Sequence, residues 1–199
     1  MTLASRLIAV AVAAVFVAFP ARAATTVYAS SVFSQTNVVN ANGALFAANG
    51  GAATILSGGD LVLQFTHPLT GTGVALSLLP FAGPAANFVA VSVGEIVGGV
   101  ATFSAGAAAF ADIGAGGIQN FDLGGLCLTV SATGCSLLRI QNIASFGTPG
   151  LLLDGASGVS NAPEPAAWAM MILGFAGVAW RLKEARKRRI RPGLRHAAA

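Results

Sequence analysis

The sequence predicts an all-β fold class: a single antiparallel β-sandwich, jelly-roll-like in size, flanked by an N-terminal signal peptide and a C-terminal transmembrane helix. Three observations lead there. Residues 24–160 hold roughly nine to eleven short apolar runs, several alternating apolar with polar as a strand with one buried face does. Glycine pairs at Gly50-Gly51, Gly58-Gly59, Gly98-Gly99, Gly116-Gly117 and Gly124-Gly125 punctuate those runs at turn spacing. Beyond residue 160 the pattern changes abruptly to prolines, one apolar stretch and a cluster of arginines.

At the N-terminus, Arg6 supplies a positive n-region, residues 7–19 an apolar h-region, and Ala21 and Ala23 the small residues a signal peptidase requires. Residues 1–23 are expected to be removed by cleavage after Ala23. The apolar run is about 13 residues against about 20 for a spanning helix, which argues against an uncleaved anchor. Export makes disulfides permissible.

Residues 24–160 form the exported domain, with strands read at 26–33, 60–66, 88–93, 100–103, 127–130 and 136–140. In 60–66, Leu61, Leu63 and Phe65 fall on one side and face a core. The alanine-rich segment 105–111 suits a helix by propensity and a strand by its flanking phenylalanines and glycines; both readings stand. Cys127 and Cys135 are separated by seven residues. That span can fold back at Ala132-Thr133-Gly134 and set the thiols on neighbouring strands. A disulfide, or two buried free thiols, fits the spacing.

The net charge of +4 conceals a segregation. Eight of the eleven Lys and Arg residues lie at or beyond Arg181, whereas between residues 24 and 160 Arg139 is the one base. It stands against Asp60, Glu95, Asp112, Asp122 and Asp154, so this domain carries −4. A nucleic-acid binder needs a basic face to neutralise phosphates, and the domain has none. No glycine pair precedes a Lys-Ser or Lys-Thr, so phosphate loops are excluded as well.

Catalytic residues are equally scarce. His67 has no second histidine in the domain, which rules out a histidine-rich metal site; no metal ligands and no cofactor are expected. A Ser-His-Asp triad drawn from His67 with Asp112 or Asp122 lacks a Gly-x-Ser-x-Gly frame. A glycosidase would need two facing carboxylates, for which Asp112 and Asp122 are the nearest pair. Asp60, Asp112, Asp122 and Asp154 read better as turn caps at strand margins. Arg139 reads as a structural ion-pair residue, with Asp154 as its partner across the sheet.

The C-terminal segment carries the most information. Pro163-Glu164-Pro165 fixes φ at two positions and extends the residues before them, so 161–165 is a stiff segment open to a protease. Pro165 suits the first position of a helix, with Glu164 beside its positive end. The apolar stretch 166–180 follows, with Trp168 and Trp180 near its two ends where indoles favour the interface. Arg181, Lys183, Arg186, Lys187, Arg188 and Arg189 then act as a stop-transfer signal that keeps 181–199 in the cytoplasm.

The string from Pro163 through Trp168-Ala169-Met170-Met171 to Phe175 resembles the PEP-CTERM sorting signal in its Trp-Ala-Met-Met variant. The resemblance covers about residues 162–191, departing where Ala176-Gly177 replaces a tighter glycine pattern and Lys183-Glu184-Ala185-Arg186 precedes the arginine run. It implies a Gram-negative envelope protein, recognition of Pro163, Glu164 and Pro165 by an exosortase (a membrane cysteine protease and transpeptidase), and release to the surface or an extracellular polysaccharide matrix. In strand spacing alone the body is similar to β-sandwich domains of exported proteins, which implies a galactose-binding-like or jelly-roll module. The acidic residues those domains place before the second strand are missing, so no calcium or sugar site carries over.

Three functional readings follow. The leading one is a non-enzymatic envelope or biofilm-matrix protein, partnered by signal peptidase, an exosortase and the membrane. The alternative is a carbohydrate-binding module for exopolysaccharide. It would call for exposed aromatics, of which Tyr28 is the one tyrosine and the body has no tryptophan. A secreted hydrolase comes third.

Overall fold

A computed structural model describes residues 24–81, 85–160 and 165–190. The cleavage residues Ala21 and Ala23, and Pro163 and Glu164 of the processing segment, lie outside the described residues. Residues 24–162 form one compact unit, and the C-terminal helix belongs to a second.

Among the described residues the first unit is mostly antiparallel β. Its strands are β1 (Thr25–Val39), β2 (Ala53–Leu69), β3 (Val74–Leu78), β4 (Ala86–Val97), β5 (Val100–Phe103), β6 (Ala108–Asp112), β7 (Gly117–Phe121), β8 (Cys135–Phe146) and β9 (Gly150–Ser160). A short helix, α1 (Gly124–Val130), leads into β8. Hydrogen bonds link the strands in the order β5-β4-β8-β2-β1-β9-β3-β7, with β6 also paired to β4.

The expected two-sheet sandwich thus takes the form of one continuous sheet curled into a half-barrel. The cause lies in the two long strands. β1 pairs first with β9 through Thr25–Tyr28, then with β2 from Ala29 onward, so it serves both halves. β2 bends at Gly58-Gly59, where its register with β1 jumps from Thr36↔Asp60 to Val38↔Ile55. Gly59 is required there, because a Cβ would lie 2.7 Å from the carbonyl oxygens of both Asn37 and Leu56. The bulge turns the first part of β2 onto β9, which it meets in parallel, and the layers stay hydrogen-bonded around the corner.

Alternation places the core on the inner face. Val74, Leu76 and Leu78 of β3 point in while Ala75 and Ser77 point out. Leu61, Leu63 and Phe65 of β2, Val89, Val91 and Val93 of β4, and Leu138 and Ile140 of β8 join the same cluster. Each such side chain contributes about 1.5–3 kcal/mol on full burial. The free strands of the curl approach through side chains, since the rings of Phe110 of β6 and Phe121 of β7 meet at a tilt of 53° with centroids 5.2 Å apart.

Of segment 105–111, open to both readings, residues 108–111 lie in β6 and none is helical. One local reading changes. Segment 127–130 is not a strand but the end of α1. Leu123, Leu126, Cys127 and Val130 recur at helical spacing, and all four pack on the core. That tertiary contact overrides the strand preference of Cys-Leu-Thr-Val.

The second unit contributes α2 (Pro165–Ile190). It runs ten residues past the apolar stretch that ends at Trp180. Leu, Lys, Glu, Ala and Arg beyond that point are all strong helix formers. Among the described residues no helix is long and apolar enough to cross a membrane.

Candidate functional site

The charged residues of the body are few, and the structure engages them in architecture. Arg139 does not reach Asp154. It forms an ion pair with Asp60, its Nε–H donating to Asp60 Oδ2 at 2.6 Å. Asp60 lies opposite Gln141 on the outer face of β2 and β8, and Gln141 donates to the same oxygen at 3.2 Å. Asp154 lies on β9, which does not pair with β8. The Phe103 ring sits 5.4 Å from the guanidinium carbon and adds a cation–π contact.

The other acids hold backbone. Glu95 accepts from the Ser136 N–H and hydroxyl at 3.0 and 3.1 Å. Asp112 accepts from Gly114 N–H and Asp122 from Gly124 N–H, each at 3.1 Å and two residues on. Those are Asx turns, and the second opens α1. His67 is exposed in β2 beside Pro68. Among the described residues, no group of three or more His, Cys, Asp or Glu side chains is placed to share a metal ion.

A disulfide joins Cys127 to Cys135 across a Cα separation of 5.8 Å. The two cysteines are not on neighbouring strands: Cys127 lies on α1 and Cys135 opens β8, so the bond pins the helix to the sheet. Toward the other end of β8 a buried polar cluster crosses three strands. Asn87 pairs in register with Asp112 on one side and Ser145 on the other. Asn142 donates to the Ile55 carbonyl at 2.7 Å and to the Ser145 hydroxyl at 2.8 Å, and that hydroxyl donates to Asn87 Oδ1 at 2.7 Å.

A cleft of about 180 Å³ opens on the outer face. Its floor is built from successive strands: Tyr28 of β1 is opposite Ser157 of β9, Ser157 opposite Ala75 of β3, and Ser77 opposite both Gly155 of β9 and Ile118 of β7. Small residues in the middle rows leave a trough between Tyr28 and Ile118. Loop 40–52 forms the rim and is tied down at several points. Asn40 donates to the Ala52 carbonyl at 3.0 Å, and Phe46 N–H donates to the Ala29 carbonyl at 2.9 Å. Asp154 accepts from Asn49 and Gly50 N–H at 3.1 and 2.8 Å. Gly155 lets the loop settle, because a Cβ there would lie 3.2 Å from Phe46 O and Ala48 N.

Phe46 is the unusual residue of this rim. Its φ is +65°, a left-handed backbone that a bulky side chain rarely adopts. Leu45 before it is buried, whereas Phe46 is turned outward and is 61% exposed. Sequence reasoning singled out Tyr28 and missed Phe46. No local pattern marks it, since the rim exists only because Asp154, over a hundred residues away, anchors the loop.

Of the tail residues, Trp180 is exposed at 73%, and Arg181 and Lys183 are exposed too. Trp168, Arg186, Lys187, Arg188 and Arg189 lie on the backbone of α2, but their side chains fall outside the described residues, as does that of Pro165. No protein-family model matches the chain, and a search of the curated proteins finds no significant match.

Proposed function

We propose that the chain is the precursor of an exported, non-enzymatic protein of the cell envelope or extracellular matrix. Residues 1–23 direct export, the helix beginning at Pro165 holds the precursor in the membrane with its body outside, and the basic tail stays in the cytoplasm. An exosortase-type protease then acts at Pro163-Glu164-Pro165 and frees the body to the surface.

The observation that carries this reading is the character of α2. Residues 171–183 are exposed without exception, among them Met171, Ile172, Leu173, Phe175, Val178 and Trp180. An apolar helix uncovered on every side belongs in lipid or against a partner, not in water. Its apolar part, about 15 residues or roughly 22 Å, is short against a hydrocarbon core of about 30 Å. Snorkelling by Arg181 and Lys183 and local thinning of the bilayer make up the difference. The Cys127–Cys135 disulfide also favours an oxidising compartment over the cytoplasm.

The test is processing in a host that carries an exosortase. Glu164→Ala and Pro165→Ala are each expected to leave full-length protein in the membrane fraction, while the parent sequence appears at the surface in shortened form. Normal processing of both variants would remove the Pro-Glu-Pro reading.

A further inference from the structure

We propose that the cleft between Tyr28, Phe46 and Ile118 binds a chain of neutral sugars. This gives the carbohydrate-binding alternative a defined site, and it does not depend on how the C-terminal segment is processed. The chemistry of the walls selects the ligand. Two aromatic rings stand at the edges, Tyr28 at 46% and Phe46 at 61% exposure, and each offers a flat apolar face to the C–H face of a pyranose. Three hydroxyls, those of Tyr28, Ser77 and Ser157, line the same space and make no side-chain hydrogen bond among the described residues. A polyhydroxyl ligand satisfies both sets of groups at once; a purely apolar one would leave the hydroxyls dry.

Charge narrows the class further. No carboxylate and no Lys, Arg or His lines the cleft, and the domain around it carries −4, so acidic polysaccharides and nucleic acids are repelled. The trough crosses four strands from Tyr28 to Ile118, roughly 14 Å at the usual strand spacing, and is not an enclosed cavity. That shape suits a segment of polymer more than a single enclosed sugar.

The rim is built in advance of any ligand. Asp154 is buried and spends its carboxylate on two backbone N–H groups of loop 40–52. The same loop holds Phe46 at a φ that costs an ordinary residue free energy, with the ring facing out. Burial does not explain that strain, since the ring is mostly exposed. A binding role for the ring does.

The experiment uses the full chain in a detergent without a sugar headgroup, with ¹³C-labelled tyrosine. The sequence has one tyrosine, so the ring of Tyr28 gives a single reporter signal. The probes are cellohexaose and mannohexaose, with polygalacturonate as the acidic comparison. A saturable shift of the Tyr28 signal is expected with at least one neutral hexaose and none with polygalacturonate. Phe46→Ala and Phe46→Gly should each weaken binding roughly tenfold, the equivalent of losing one stacked ring. Glycine accepts the left-handed backbone, so Phe46→Gly should melt no lower than the parent and separates lost binding from lost folding. Phe88→Ala, at an exposed ring on another part of the sheet, should leave the affinity unchanged. The proposal is overturned if neither hexaose moves the signal, if polygalacturonate binds as well, or if Phe46→Gly binds like the parent. It is also overturned if the signal moves with protein concentration alone, which would make the cleft a contact between copies.

Discussion

Arg139 and Asn142 show how little a residue's formal charge says about its structural weight. Arg139 is the single cation of the body, yet its side chain is 34% exposed and its pair with Asp60 sits on the outer face. Such pairs are worth well under what their charges suggest, because water screens them. Asn142 is neutral and wholly buried, and its amide nitrogen serves three acceptors from different parts of the chain. Removing it leaves the Ile55 carbonyl and the Asn87–Ser145 pair without a shared donor in a dry setting. Asn142→Ala should therefore lower unfolding stability by about 2–3 kcal/mol, and Arg139→Met by less than about 1 kcal/mol. Urea unfolding of the two variants checks the order, and a larger loss for Arg139→Met would reverse it. The sequence made Arg139 conspicuous and assigned it to Asp154. The register between β2 and β8, which sets Asp60 diagonally across from Arg139, could not be read without knowing which strands are neighbours.

Elements were legible in proportion to how local their causes are. β3 is a strict alternation of Val74, Leu76 and Leu78 against Ala75 and Ser77, and the cores of β2, β4 and β8 follow from their own apolar patterns. α1 was hidden because its helical face begins at Leu123, before the glycine pair, so a window opened at Cys127 shows a strand-like Cys-Leu-Thr-Val. The disulfide has a definite mechanical role, because it holds a helix of two turns against the first residue of β8. A helix that short has little stability of its own. Replacing both cysteines by serine should cost about 2–3 kcal/mol, the loop-closure value for a separation of this size. The melting temperature would then fall by roughly 5–10 °C, and α1 amides would lose protection from hydrogen exchange before the central strands do. An unchanged melting temperature would mean the bond adds nothing to the packing of Leu123, Leu126 and Val130.

At the scale of the whole molecule, sequence patterning gave the all-β class and the separate character of the tail, but not the curl. Two stacked layers and one bent sheet share the same alternation. What distinguishes them is the bulge at Gly58-Gly59 and the division of β1 between β9 and β2, both consequences of long-range register. The cleft was illegible for the same reason, since its rings come from β1 and loop 40–52 and its floor from β3, β7 and β9. The division of labour is nevertheless visible in charge: a body with one base, and a C-terminal segment holding eight. That asymmetry suits a precursor whose two ends meet different surroundings, and it makes the fate of the ends the thing to measure. Intact-mass and terminal-peptide mass spectrometry of protein recovered from the surface of expressing cells answers it. We expect a chain that starts at Ala24, ends at or before Glu164, lacks the helix beyond Pro165, and carries Cys127 and Cys135 joined. Recovery instead of a single species running from Met1 to Ala199, in the cytoplasmic fraction and with both thiols free, would contradict export, anchoring and release together.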